Sequence, residues 1–307
     1  MPPVPEQESL TLPPAQDLGL LGVALLGVSA SGPMMAATAA PALAIAFWRN
    51  ALGAGSTVLM SAFRNRAEFA ALSRRGLGIA VLAGIFLGLH FATWVPSVKL
   101  TSVASATALV ATQSVFSGLF AVVAGRRLPR TAWLGMALAI LGTAFIAGAD
   151  FGVSSRALTG DGLAVLGGLF AAAYVTFGAT ARRTMSTAIY TSICYAVCAF
   201  CLLVACLVGR QSLAGYSAHA WFLIIAVTVC AQLLGHSLIN VVLRSMSATL
   251  LSLAILLETP GAGLIAAVWL HQRPPLWAIP GLVMLFAGLV IVVRAGERLP
   301  QLAVDVD

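Results

Sequence analysis

Charged residues are scarce in this chain. Of its 307 residues only 9% are Asp, Glu, Lys or Arg, whereas 60% are hydrophobic. A soluble domain carries about a quarter charged residues, so this chain lacks the polar side chains needed to cover a water-facing surface. The shortage excludes an ordinary soluble fold and indicates that the solvent is a lipid bilayer.

The chain also lacks the motifs of several function classes. No Walker sequence is present, which argues against direct coupling to ATP and against an ATPase subunit. No H-E-x-x-H or nucleophile-base spacing supports catalysis, so an enzyme is not predicted. The net charge of +7 comes from basic residues spread over short loops, which argues against nucleic-acid binding. Cys194, Cys198 and Cys201 share one helical face and are interpreted as packing residues, so no metal or cofactor is predicted.

Apolar runs of about 20 residues recur along the chain and are typical of membrane-spanning helices. We predict ten spans, at 18–35, 41–62, 77–98, 102–124, 131–149, 161–181, 186–208, 217–242, 247–269 and 276–294. Residues 1–17 are rich in proline and hold no Lys or Arg, so they are predicted to be a disordered tail rather than a signal peptide. Residues 296–307 form a second tail.

The basic residues predict the orientation of the spans, because cytoplasmic loops carry an excess of Lys and Arg. With a cytoplasmic N-terminus, the outside loops hold four basic residues: Lys99, Arg156, Arg210 and Arg273. The inside segments then hold twelve: Arg64, Arg66, Arg74, Arg75, Arg126, Arg127, Arg130, Arg182, Arg183, Arg244, Arg294 and Arg298. We therefore predict a multi-pass protein of a bacterial-type cytoplasmic (inner) membrane, with both termini in the cytoplasm.

The chain repeats itself weakly with an offset of 146 residues. At this offset His90 aligns with His236, and the aligned pairs include Arg127 with Arg273, Pro129 with Pro275, Gly135 with Gly281 and Gly142 with Gly288. The first copy is placed at 18–150 and the second at 160–295. Because five spans is an odd number, the second copy is expected to lie upside down in the membrane. Inverted repeats are typical of transporters, which bind substrate between the two copies.

Two long stretches carry a family resemblance: HFATWVPSVKLTSVASATALVATQSVFSGLFAVVAGRRLP and LLGHSLINVVLRSMSATLLSLAILLETPGAGLIAAVWL. They resemble the EamA domain of the drug/metabolite transporter (DMT) superfamily, and the resemblance extends over essentially the whole chain in two copies. It implies an all-α membrane protein of ten helices, a 5+5 inverted-repeat bundle around a central cavity. It also implies export of small metabolites, including amino acids.

The chain departs from the family pattern in two places. Family members usually carry Glu-Arg just after the fourth and ninth spans, where this chain has Arg126-Arg127 and Gln272-Arg273. The proline of the fourth-span T-x-P pattern is replaced by Ser114. Whether the usual glutamates gate the transporter or brace helix ends therefore stays open for this chain.

Polar and aromatic residues inside the spans predict the walls of the cavity, because such groups are costly to bury in lipid. His90 and Trp94 share one face of the third span, and the offset copy places Gln232, His236 and Asn240 on the equivalent face of the eighth. The alternative is that each histidine only holds neighbouring helices together. The paired stripes favour cavity lining.

Further candidates lie on four other spans. Glu258 is the one acidic residue predicted near the membrane midplane, where it could bind an amine, carry a proton or brace helices, with Arg49 as a conceivable partner. Arg49 itself could meet a substrate carboxylate bidentately, but the structural interpretation is favoured, in which it snorkels outward or caps helix C-termini. Thr112 and Gln113 on the fourth span and Tyr174 on the sixth complete the predicted cavity.

The function predicted from these features is secondary transport. The protein is expected to export, or to let diffuse, amino-acid-like or other weakly charged solutes by alternating access, as a monomer or a homodimer in the bilayer. The small-molecule solute is the one partner predicted besides lipid. An intramembrane enzyme, or a structural membrane protein without transport activity, is the alternative.

Overall fold

A computed structural model describes residues 15–64, 66–123, 125, 128–151, 154–182, 185–235, 238, 257–273, 276 and 279–297. Every regular element of this part is helical. The first seven helices are α1 (Ala15–Ser29), α2 (Ser31–Ala37), α3 (Ala42–Arg64), α4 (Arg66–Ala70), α5 (Arg74–Leu100), α6 (Val103–Val110) and α7 (Gln113–Val123). The others are α8 (Arg130–Phe151), α9 (Ser155–Ala181), α10 (Thr187–Val208), α11 (Ala218–Val227), a π-helical segment (Thr228–Gly235), α12 (Glu258–Trp269) and α13 (Ile279–Glu297).

Six helical stretches within the described residues are long and apolar enough to cross a membrane. They are Ala15–Ala37, Arg74–Leu100, Val103–Phe120, Ser155–Gly178, Thr187–Val208 and Ala218–Gly235. Helices α3, α8, α12 and α13 overlap the four other spans that the sequence predicts. The chain is thus a multi-pass helical membrane protein. Helix α1 begins at Ala15, slightly before the predicted span, and most of both predicted tails lies outside the described residues.

The packing of the helices repeats between the two copies: when two helices pack together, their counterparts in the other copy also pack together. At the offset of 146 residues, α1 corresponds to α9, α3 to α10, α5 to α11 with the π-helical segment, and α8 to α13. Helix α5 packs on α9, and its counterpart, the π-helical segment, packs on α1. Likewise α5 packs on α10, and α11 packs on α3. The packing therefore repeats with the same offset as the sequence.

Helices α8 and α13 approach each other closely through glycines. A Cβ at Gly135 would lie 2.8 Å from the carbonyl oxygen of Gly288, and one at Gly142 would lie 2.6 Å from that of Gly281. Small residues let membrane helices pack backbone to backbone. The residue numbers rise along one helix as they fall along the other, so the two corresponding helices run antiparallel.

Helices α3 and α10 form a second antiparallel pair. Near the end of α3, the Ser61 hydroxyl hydrogen-bonds the Ser192 hydroxyl at 2.9 Å and donates to the Ala188 carbonyl at 3.2 Å, near the start of α10. Helix α5 in turn packs on α10 through Gly84 and Gly88, whose missing side chains leave room for Val197 and Cys201. Gly84 and Gly88 therefore make close-packing contacts within the chain.

The fourth span is interrupted at a place that corresponds, in the second copy, to the start of α12. The fourth span breaks between α6 and α7 at Ala111 and Thr112. At the offset of 146 residues, Thr112 corresponds to Glu258, which is the first residue of α12. Broken helices expose backbone groups and are typical of transporter binding sites.

Polar contacts gather at one end of the bundle, and two of them join the two copies. Gln272 accepts a hydrogen bond from the Val103 backbone N–H at 3.1 Å, at the start of α6. Arg156 donates to the Lys99 carbonyl at 3.2 Å, and within the first copy the Lys99 ammonium donates to the Thr38 carbonyl. Gln272 thus satisfies a free amide at a helix N-terminus and braces the start of α6.

We expect the Gly142→Ala variant to be less stable by about 1–3 kcal/mol, because the added methyl group would force α8 and α13 apart. The measurement is thermal unfolding of the purified protein in detergent. Gly22→Ala is the matched control, because no atom lies within 4 Å of a Cβ at that position. It should be neutral or slightly stabilising. Equal melting temperatures for Gly142→Ala and wild type would contradict the close packing of these helices.

Candidate functional site

A cavity of about 460 Å³ lies between the helices and is lined by both copies. The first copy contributes Val28, Ser31, Arg49, Leu87, His90, Phe91, Trp94, Val110 and Gln113. The second contributes Ala171, Tyr174, Val175, Gly178, Arg182, Thr187, Tyr190, Thr191, Tyr195, Ala231, Gln232 and Glu258. Ligand pockets of small-molecule proteins have volumes of about 300–1,000 Å³. This cavity is therefore large enough for a metabolite of amino-acid size.

Most of the predicted site residues that the structure describes line this cavity. Thr112 is the exception: it is buried, and its hydroxyl donates to the Leu109 carbonyl at 2.6 Å instead of facing the cavity. The break between α6 and α7 exposes that carbonyl, and the short threonine side chain satisfies it locally. His236 and Asn240 lie outside the described residues.

His90 both lines the cavity and joins two helices. Its Nδ1 lies 2.9 Å from the Gly167 carbonyl oxygen on α9. Because a carbonyl oxygen only accepts, Nδ1 carries the proton and Nε2 is left as an acceptor. The imidazole stacks on the Trp94 ring with centroids 5.7 Å apart and planes 12° apart. His90 thus lies on the cavity wall and at a contact between α5 and α9, so its position is compatible with both interpretations.

Arg49 is buried on the cavity wall, with only 3% of its surface exposed. Its Nε donates to the Gln232 side-chain oxygen at 3.1 Å, and its guanidinium lies 4.7 Å from the centre of the Phe91 ring. The expectation that Arg49 snorkels outward or caps helix C-termini is corrected, because Gln232 and Phe91 stabilise the charge inside the bundle. The Gln232 bond still joins two helices across the copies.

Four cavity-lining residues carry a buried side-chain atom with no hydrogen-bond partner among the described residues. Three of these atoms are the N–H donors Arg49 Nη1, Trp94 Nε1 and Gln232 Nε2, and the fourth is the Tyr190 hydroxyl, which can donate or accept. Buried polar groups are nearly always hydrogen-bonded in native proteins. These four residues therefore lack partners that native proteins normally supply.

Glu258 supplies a negative charge to the same cavity. It is half-buried and stands at the first position of α12, where the helix dipole favours an anion. Arg49 and Glu258 attract each other, although the hydrogen bond of Arg49 goes to Gln232. At depth the cavity thus offers one cationic and one anionic group from described residues.

Helix α10 contributes residues that the sequence analysis missed. Thr187, Tyr190, Thr191 and Tyr195 all line the cavity. Their spacing puts them on one helical face, within a span whose other residues are largely apolar. This polar stripe in a 22-residue apolar helix was the signal available in the sequence. The cysteines at 194 and 198 lie buried beside it as free thiols.

Among the described residues, the cavity reaches the end of α9 and the start of α10. Arg182 lines it and is exposed, and Thr187 stands at the start of α10. The contacts of Gln272, Lys99 and Arg156 lie at the other end of the bundle. Helices α5 and α9 run antiparallel, and Gly160 meets Thr101 at the end remote from Arg182.

Comparison with known proteins finds a matching family and similar solved structures. A model of the EamA-like transporter family matches residues 17–148 and again residues 158–294. A chain of known crystal structure is similar in fold, with 16% sequence identity and a TM-score of 0.61 over 93% of this chain and 99% of its own. No curated protein matches the sequence significantly. At that identity the crystal structure shows the fold alone.

We expect the His90→Ala variant to lose about 1 kcal/mol of stability, because the hydrogen bond to Gly167 joins two helices inside the membrane. His90→Asn, whose amide can replace the Nδ1 donor, should recover part of that loss, whereas His90→Gln should not. The measurement is the melting temperature in detergent. A His90→Ala protein as stable as wild type would show that this bond does not hold the helices together.

Proposed function

The chain belongs to the EamA-like transporter family, and on this premise we propose that it is a secondary transporter that exports small organic metabolites by alternating access. One observation carries the proposal: a single cavity is lined by both copies of the family domain and reaches the exposed Arg182, while Gln272 and Val103 hydrogen-bond at the opposite end of the bundle. A solute bound there could be released on the other side once the contacts between the copies rearrange.

We infer that the two copies form a bundle of ten helices with inverted topology. The antiparallel packing of α8 on α13 supports this, because the two helices occupy corresponding positions in the copies. The antiparallel packing of α3 on α10 supports it in the same way. Corresponding helices that run in opposite directions are expected when one copy is turned over in the membrane.

The proposed direction is from the cytoplasm to the outside. The positive-inside rule places both termini and the loop that holds Arg182 in the cytoplasm. The cavity reaches Arg182 beside that loop, which favours uptake of solute from the cytoplasm in this conformation. A bacterial-type inner membrane is the proposed location.

The walls of the cavity favour a weakly charged solute. Arg49 and Glu258 balance each other at depth, which suits a zwitterion better than a multiply charged phosphate ester. Phe91, Trp94 and Tyr174 offer aromatic surface to an apolar side chain. Amino-acid-like metabolites combine both properties.

The experiment is counterflow in proteoliposomes loaded with a broad panel of amino acids and other small metabolites. Wild-type protein should exchange at least one of them faster than empty liposomes do. Glu258→Gln should lower the exchange of zwitterions about tenfold or more, because it removes the negative charge that faces the solute amine. Arg130→Gln, an exposed residue at the start of α8, is the control and should exchange like wild type. If wild type moves no member of the panel, the transporter proposal fails.

A further inference from the structure

Of the four cavity-lining residues with an unpartnered side-chain atom among the described residues, three carry an N–H donor and belong to one part of the wall; the fourth is Tyr190. Arg49, Trp94 and Gln232 have 3%, 5% and 4% of their surfaces exposed, and each has a donor without a partner among the described residues. They come from α3, α5 and the π-helical segment. A ligand at this place therefore has to supply acceptors.

The contacts of Arg49 hold the donors in position. Its Nε donates a hydrogen bond to the Gln232 side-chain oxygen at 3.1 Å. The amide nitrogen of Gln232 is therefore the atom without a partner among the described residues. Phe91 lies against the guanidinium, with its ring centre 4.7 Å from Cζ, and the Trp94 ring lies 6.3 Å from the Phe91 ring. The guanidinium is thus fixed by two neighbours and keeps Nη1 available.

The positive charge of Arg49 determines which kind of acceptor fits this part of the cavity wall. An ammonium group has no acceptor and would meet a buried guanidinium. A hydroxyl offers no charge to balance Arg49. A phosphate with two negative charges would face one guanidinium and, in the same cavity, the carboxylate of Glu258. A carboxylate brings one negative charge and a planar pair of oxygens, which match a guanidinium and neighbouring N–H donors.

We propose that Arg49, Gln232 and Trp94 form the carboxylate-binding corner of the cavity, and that the solute is an organic monocarboxylate, zwitterions included. This assignment rests on the proposed function, because it takes the cavity to be the solute site. It makes Arg49 a residue that sets specificity as well as one that joins helices. The remainder of the solute then faces Glu258 and the tyrosines of α10.

The first test compares acids with their primary amides. The probes are leucine and leucinamide, phenylalanine and phenylalaninamide, and 3-phenylpropionate and 3-phenylpropionamide. Binding to the purified full-length protein is followed by tryptophan fluorescence and by the melting temperature. At least one acid should bind at least about tenfold more tightly than its amide. Amides that bind as tightly as the acids, or a set in which no acid binds, would overturn the assignment.

The second test uses the Gln232→Glu variant. The new carboxylate has nearly the same size as the amide and would pair with Arg49, so the helices stay joined and the melting temperature should not fall. The internal carboxylate would compete with that of the solute, and acid binding should weaken about tenfold or more. If Arg49 only joins helices, Gln232→Glu binds acids like wild type, and the proposal is wrong. Arg49→Gln should also lose acid binding, and Arg130→Gln should keep it.

Counterflow in proteoliposomes separates this assignment from the proposed function. If wild type binds acids but moves no solute, and Gln232→Glu does not bind acids, the carboxylate site is supported but the protein is not a transporter. A protein that transports solutes without a carboxylate, unaffected by Gln232→Glu, would be a transporter without the proposed site. Transport of acids that Gln232→Glu abolishes supports both.

Discussion

A guanidinium group cannot be left bare inside a membrane, and the site of this protein is arranged around that constraint. Arg49 is placed on an apolar helix, where burying its charge is costly without partners. Gln232 from the other copy accepts its hydrogen bond, and Phe91 covers its face. The residue that requires stabilisation therefore connects the two copies at the wall of the cavity between them.

Close helix packing sets the frame around this site. Glycines bring α8 against α13 at one side of the bundle, and Gly84 and Gly88 seat α5 against α10 beside the cavity. The break between α6 and α7 lies at Ala111 and Thr112, next to the cavity-lining Gln113. Close antiparallel pairs thus frame a cavity that both copies line.

The sequence predicted those parts of the site that depend on helical spacing and on the internal repeat. His90, Trp94, Gln232 and Glu258 were found in this way, and all four line the cavity. The sequence did not predict that Gln232 is the partner of Arg49, because this contact depends on how α3 packs on the π-helical segment. Thr112 was predicted to line the cavity, which it does not. No proline in the sequence marks the break between α6 and α7, where the Thr112 hydroxyl donates to the Leu109 carbonyl. Tyr190 and Tyr195 were missed because the repeat aligns α10 with α3, where no tyrosine stands. His236 and Asn240 stay predictions.

The central claim is that solute passes through this cavity and leaves at the end of the bundle that holds Gln272. Val103 and Gln272, joined by a hydrogen bond across that end, allow a direct test. Cysteines at both positions, in a chain whose native cysteines are replaced by alanine, would be bridged with a short cleavable thiol cross-linker in proteoliposomes. Counterflow should stop on cross-linking and return on cleavage, while each single-cysteine variant keeps its rate after the same treatment. Undiminished counterflow through the cross-linked protein would contradict the account.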